Sequence, residues 1–98
     1  MPKQVPSAEQ CAYVSGILKN LSHPQRLLIL CHLSEGPRSV NDLAELTGAS
    51  QSAVSQFLSR MKAERLVSSE RQTNYVYYDI ANSQVKQIIQ ALYKIFNE

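Results

Sequence analysis

Ser39-Val-Asn-Asp-Leu-Ala-Glu-Leu-Thr-Gly48-Ala-Ser50-Gln-Ser-Ala-Val-Ser-Gln-Phe-Leu-Ser-Arg-Met-Lys62 divides at its glycine into two short helical patterns. In the first, Val40, Leu43, Ala44 and Thr47 recur at i, i+3, i+4 and i+7, one continuous stripe at the α period. Ser39 with Asp42 three residues on has the form of a capping box, and Gly48 supplies a residue that enters left-handed backbone without a Cβ clash. After Ala49, Ser50 is a second N-cap candidate, and Val54, Phe57, Leu58 and Met61 form the buried stripe of the next helix. Its opposite face holds Gln51, Ser52, Ser55, Gln56 and Ser59. Short uncharged side chains that both donate and accept hydrogen bonds are what reading base edges in a major groove requires. The segment therefore reads as a helix-turn-helix and double-stranded DNA as its partner; taken alone, it is equally an amphipathic helix with a solvated polar face.

The flanking sequence narrows this. Val67-Ser68-Ser69-Glu70-Arg71 and Tyr75-Val76-Tyr77-Tyr78-Asp79-Ile80 are rich in β-branched and aromatic residues around the polar Gln72-Thr73-Asn74, which predicts a hairpin. Arg60, Lys62, Arg65 and Arg71 gather at the end of the second helix and beyond it, against Glu64 and Glu70. Such a cluster is either a solvated face or a set of phosphate contacts. Upstream, Tyr13, Val14, Ile17, Leu18 and Leu21 mark a first helix beginning near Ala8. Ser22 and Gln25 fit a capping box for a second helix over residues 23–34, with Pro24 tolerated in its first turn. That helix is apolar on most sides, with Leu27, Leu28, Ile29, Leu30, Cys31 and Leu33, and Glu35-Gly36-Pro37 stops it. At the far end Val85, Ile88, Ile89, Leu92, Tyr93 and Phe96 recur at helical spacing. So long a stripe either packs on its own domain or pairs with a second copy; with Tyr13 and Ile17 on the first helix, the second option is favoured. The expected order is α-α-α-α-β-β-α, mainly helical with a small β-hairpin wing: a winged helix-turn-helix that dimerises through its first and last helices. Residues 1–7, with Pro2 and Pro6, read as a disordered tail, and residues 8–98 as the single folded domain.

Composition sets broader bounds. The 98 residues carry a formal charge of only +2, which neither demands nor excludes nucleic acid. No apolar run is long enough to span a bilayer and no signal core begins the chain, so the cytosol is the expected location, with no membrane partner. Cys11 and Cys31 are too few for a disulfide scaffold. No nucleophile–base order and no phosphate-binding glycine loop suggests an enzyme. A winged-helix module that binds protein instead of DNA remains the alternative.

Three ordered motifs carry a resemblance. Leu21-Ser22-His23-Pro24-Gln25-Arg26-Leu27-Leu28-Ile29-Leu30, then Leu43-Ala44 with Ser50-Gln51-Ser52-Ala53-Val54-Ser55-Gln56-Phe57-Leu58, and the strand Val76-Tyr77-Tyr78 resemble the ArsR/SmtB family of bacterial dimeric repressors. The likeness covers residues 21–80. It implies a homodimer that binds an inverted-repeat operator and releases it when an inducer binds. By motif position it also implies that the helix from Ser50 is the recognition helix, with Gln51, Ser52, Ser55 and Gln56 toward bases, while the wing at Arg71, Gln72, Thr73 and Asn74 touches phosphates or the minor groove; Ser50, Ser59 and Arg60 join them as DNA-binding candidates on the same helix. Phe57 departs from the histidine frequent in relatives. The family's metal sites cannot be built. Val40-Asn41-Asp42-Leu43-Ala44 has no thiol, and the last helix offers Gln84, Lys86, Gln87 and Gln90 where ligands would stand, so neither metal nor cofactor is expected. The chain is most similar to the subgroup typified by the biofilm and haemolysin regulators BigR and HlyU, which senses reactive sulfur or oxidants with one cysteine in the core helix and one near the end of the last helix. Cys31 matches the first. Ile95-Phe96-Asn97 stands where the second belongs, leaving Cys11 as the sole stand-in. Cys31 and Cys11 are thus candidate redox-sensing residues for a small-molecule sulfur or oxidant inducer, or else a buried apolar residue and an incidental thiol in a constitutive regulator.

Overall fold

The computed structural model describes residues 5–97, so the tail expected over residues 1–7 lies partly outside it. Within it, Ser7 belongs to the fold: its hydroxyl accepts from Gln10 N–H and its own N–H donates to Gln10 Oε1, a capping box that starts α1 (Ala8–Leu21). Only Ile17 and Leu21 of this helix are buried.

The second cap differs from the expectation. Ser22 closes α1, its hydroxyl donating to Lys19 O at 2.7 Å, and α2 (Pro24–Leu33) begins with His23 as an N-cap that makes no side-chain cap bond. The proline decides this. A residue before proline is held extended, and His23 has ψ 119°, so the helix can start only at Pro24. Ile29, Leu30 and Leu33 face inward with no exposed surface, but Leu27 and Cys31 are only half-buried and Leu28 points outward. The helix is central without being enclosed.

A two-residue strand that periodicity did not foresee follows, β1 (Arg38–Ser39). Ser39 also begins α3 (Val40–Thr47), accepting from Asp42 N–H at 3.1 Å while Asp42 Oδ2 accepts from Ser39 N–H. Gly48 ends α3 at φ +75°, and Ser50 caps α4 (Gln51–Ala63) through Ala53 N–H at 3.0 Å. The end of α4 is a Schellman turn. Leu66 N–H reaches Met61 O at 2.9 Å and Arg65 N–H reaches Lys62 O at 3.0 Å, with Arg65 itself left-handed at φ +63°.

Strands β2 (Val67–Gln72) and β3 (Tyr75–Ile80) form the hairpin, in register from Val67 opposite Ile80 to Gln72 opposite Tyr75. The turn is Thr73-Asn74, with Thr73 at φ +56°, a costly region for a β-branched residue. β1 pairs antiparallel with the other edge of β3, Arg38 opposite Tyr78, giving a three-stranded sheet of order β1-β3-β2. Asn82 then caps α5 (Ser83–Phe96) through the amides of Gln84 and Val85.

Leu43 of α3, Val54, Leu58 and Met61 of α4, Leu66 and Val67 at the root of β2, and Val85 and Ile89 of α5 close the core around α2. This divides the stripe assigned from sequence to a dimer interface. Ile17, Val85 and Ile89 are buried in the protomer's own core, because the second half of α1 lies against α2 and α5 lies against α2 and β3. They are not free to face a partner. Tyr13, Tyr93 and Phe96 stay exposed, at 54%, 59% and 78%, while Ile88 and Leu92 sit half-buried between the two sets.

Candidate nucleic-acid interface

The polar face of α4 is turned to solvent along its length. Ser52, Ser55, Gln56 and Ser59 are exposed, and among the described residues none of their side chains makes a protein hydrogen bond. Their donors and acceptors are unspent. Two neighbours on the same face are partly engaged: Ser50 accepts the capping bond, and Gln51 Nε2 donates to Asn41 Oδ1 of α3. Gln51 keeps its Oε1 and a second amide hydrogen.

Each edge of this face meets another element. Gln51, Ser55 and Lys62 share one edge by their i+4 and i+7 spacing, and there Lys62 Nζ donates to Ser69 Oγ of β2 at 2.6 Å. Arg71, Gln72, Thr73 and Asn74 stand exposed at the hairpin tip on that side. A shallow recess of about 270 Å³ joins tip to helix, lined by Asn41 and Gln51 together with Asn74, Tyr75 and Val76. The wing and the start of α4 thus form one continuous surface.

Phe57 and Arg60 define the opposite edge. The Phe57 ring is half-buried, tilted against His23 with centroids 5.1 Å apart and covered by the Arg26 guanidinium at 5.9 Å. Phe57 therefore sits at the rim of the core rather than inside the stripe formed by Val54, Leu58 and Met61. Asn41, Tyr75, His23 and Arg26 escaped the sequence-level site assignment. Each lies on a different element from α4, and only the fold brings them to it.

The cysteines are kept apart in character. Cys31 is half-buried in α2, where burial first and the Glu35 carboxylate second push its thiol up from the ordinary value. Cys11 is exposed, and among the described residues its Sγ reaches only Pro6 O at 3.9 Å. Both thiols are free, and every residue of α1 from 8 to 16 is exposed.

A model of the family described as "Bacterial regulatory protein, arsR family" matches residues 23–69. The HTH-type transcriptional regulator YgaV of Escherichia coli (strain K12) is 46% identical over 91 residues, covering 92% of this chain and 89% of that protein. The chain belongs to the ArsR family. The biofilm growth-associated repressor of Xylella fastidiosa is 36% identical over 83 residues, covering 85% of this chain and 73% of that protein. The solved HlyU from Vibrio cholerae N16961 superposes with a TM-score of 0.87 at 29% identity, covering 94% of this chain and all of that one. The ArsR resemblance drawn from three motifs is borne out, and so is the likeness to the biofilm and haemolysin regulators drawn from the segment ending at Cys31. As an ArsR-family winged helix-turn-helix protein it is a DNA-binding transcriptional regulator and not an enzyme. No described helix is long and apolar enough to cross a membrane.

Proposed function

We propose that this regulator acts as a homodimeric repressor that reads a short inverted repeat, with α4 in the major groove and the wing tip on the adjoining backbone. The observation that carries this is the unspent polar face of α4, continuous with the wing through the recess at Gln51 and Asn74. Gln51, Ser52, Ser55, Gln56 and Ser59 supply base-edge contacts, with Gln51 held from behind by Asn41. Ser50 fixes the start of α4 and places its backbone, while Arg60 and Arg71 to Asn74 meet phosphates. The cytosol follows as the site of action from a chromosomal partner.

The second copy covers the apolar surface that one protomer leaves open. Tyr13, Val14 and Leu18 on α1 and Tyr93, Ile95 and Phe96 on α5 are exposed, and a groove of about 560 Å³ runs between the two helices along Tyr13, Val14, Ile88 and Ala91. A patch of this extent on so small a chain marks an interface. A twofold dimer would set its two α4 helices one DNA turn apart, about 34 Å, which requires an inverted repeat.

For the inducer, the cysteines favour packing over switching. A sensing thiol works as thiolate and pairs with an accessible partner. Burial and the Glu35 carboxylate push the Cys31 thiol up, and Cys11 stands on an exposed turn of α1. This favours the reading in which Cys31 is a packing residue and Cys11 an incidental thiol in a constitutive regulator.

Fluorescence anisotropy across a salt series, comparing the DNA upstream of its own gene with random duplex, tests the whole reading. Preference for the upstream DNA by tenfold or more is the expected result. Equal affinity for both duplexes would defeat specific repression, and an Arg71→Glu/Gln56→Ala variant that binds DNA as the parent does would transfer the surface to a protein partner. Loss of operator binding on mild persulfide or peroxide treatment, restored in Cys31→Ser, would reinstate the thiol switch.

A further inference from the structure

On the Phe57 edge of α4, opposite the edge that meets β2, the end of α1, the start of α2 and the second half of α4 line an open cleft of about 620 Å³. Its walls carry Lys19, His23, Arg26 and Arg60, against the single carboxylate of Glu64. The chain as a whole has only two more cationic than anionic residues, so three Lys and Arg side chains facing one Glu in one cleft is a local concentration of positive charge.

The cleft is built rather than merely basic. Arg26 is held by two neighbours: its Nη1 donates to Asn20 Oδ1 at 2.6 Å and its guanidinium lies over the Phe57 ring. That leaves its planar fork fixed instead of mobile, the condition under which arginine loses least entropy on binding an oxyanion. Its Nε is buried and has no hydrogen-bond partner among the described residues. Beside it, α2 starts without a side-chain cap. The first helical bond of α2 runs from Leu27 N–H to His23 O, so the amides of Gln25 and Arg26 are among the donors that a helix N-terminus leaves open. By contrast α1, α3, α4 and α5 each have such donors taken by Ser7, Ser39, Ser50 and Asn82.

We propose that this cleft binds a phosphodiester of the DNA backbone, on the strand opposite the one met by the wing. A helix lying in the major groove is bounded by two phosphate strands. The wing lies beyond the Lys62 edge of α4 and the cleft beyond its Arg60 edge, so each strand has its own contact. Lys19, Arg26 and the open amides of α2 hold the phosphate oxygens, His23 adds an imidazole donor, and Phe57 keeps Arg26 in place. This inference rests on the operator binding proposed above.

The experiment is operator affinity against salt concentration for the full-length protein and for Lys19→Gln and Lys19→Glu variants, whose exposed side chain takes no part in the core. Loss of one phosphate contact per protomer lowers the slope of log K against log[salt] by about 0.9 per contact, hence by about 1.8 for a dimer. Affinity should fall about equally for operator and random duplex, leaving their ratio unchanged, and fall further in the charge-reversed variant. Parental slope and affinity in both variants would overturn the assignment while leaving α4 recognition intact; failure of the parent protein to bind DNA would instead sink the operator function. A last arm titrates inorganic phosphate against chloride at equal ionic strength in the DNA-free protein. Saturable phosphate binding that Lys19→Glu abolishes, with DNA affinity unaffected, would show the cleft to be a small-anion site and overturn the backbone reading.

Discussion

Replacing Gly48 by alanine isolates what the hinge costs. Gly48 lies at φ +75° between α3 and α4, and a Cβ there would meet no atom of the described residues within 4 Å. Crowding adds nothing, so the effect is that of the backbone alone. Left-handed backbone costs an L-residue about 1–2 kcal/mol, while the methyl group restricts the unfolded chain and returns about 0.4–1 kcal/mol. The net loss is about 1 kcal/mol. Unfolding entropy near about 2.1 cal/mol/K per residue amounts to about 0.2 kcal/mol/K for this chain, so Gly48→Ala should lower Tm by about 5 °C. Gly48→Asn should lose less, since asparagine enters this region more readily. Thermal unfolding followed by circular dichroism at 222 nm, with all proteins at one concentration because dimerisation makes Tm concentration-dependent, is the assay. A parental Tm for Gly48→Ala, or an equal loss for Gly48→Asn, would refute the backbone explanation of the hinge.

Other outcomes follow from the same geometry. Gln56→Ala should reduce discrimination at one base pair by about 1–3 kcal/mol without altering the salt slope, measured by anisotropy on single-base operator variants. Val14→Glu with Tyr93→Glu, both on exposed positions, should leave the fold intact but sediment with the mass of one 11.0 kDa chain, since burying unpaired carboxylates costs several kcal/mol. A dimer persisting in that variant at micromolar concentration would remove α1 and α5 from the interface. For Cys31, a thiol pushed up in the folded state means that the unfolded chain loses its proton first as pH rises. Its favourable contribution is therefore complete below the unfolded thiol's pKa and drains away above it. Urea midpoints of parent and Cys31→Ala should show a steeper alkaline decline for the parent; parallel curves would mean the thiol is not desolvated.

Local chemistry made much of this fold legible. The caps at Ser39 and Ser50, the glycine at Gly48 and the β-branched and aromatic run ending at Ile80 act over a few residues, and each element they predicted formed. What stayed hidden depended on distant partners. Arg38 and Ser39 are too few to show an alternation, and are a strand only because Tyr77 and Tyr78 offer them an edge. Helical periodicity told that Val85, Ile89 and Ile17 are inward-facing but not toward which protein body, and they face their own. At Ser22-His23-Pro24 two local signals competed, and the extended backbone demanded by proline prevailed over the capping box. On α4 the polar face was readable because one helix carries it. The basic cleft was not, since Lys19, His23 and Arg26 reach Arg60 only after α1 and α2 fold against α4.

The strand order β1-β3-β2 has a further consequence. The helix pair leaves the sheet at Ser39, on one side of β3, and returns to it at Val67, on the other. Both ends of residues 40–66 are therefore anchored to a single strand, separated across it by two strand spacings, about 10 Å, and along it by the three residues from Tyr77 to Ile80. This makes the DNA-reading unit a cartridge with fixed fittings. Sequence can change freely on its outer face without disturbing how it is mounted, so relatives that share the sheet could exchange cartridges, and with them operator preference, while keeping the same dimer frame.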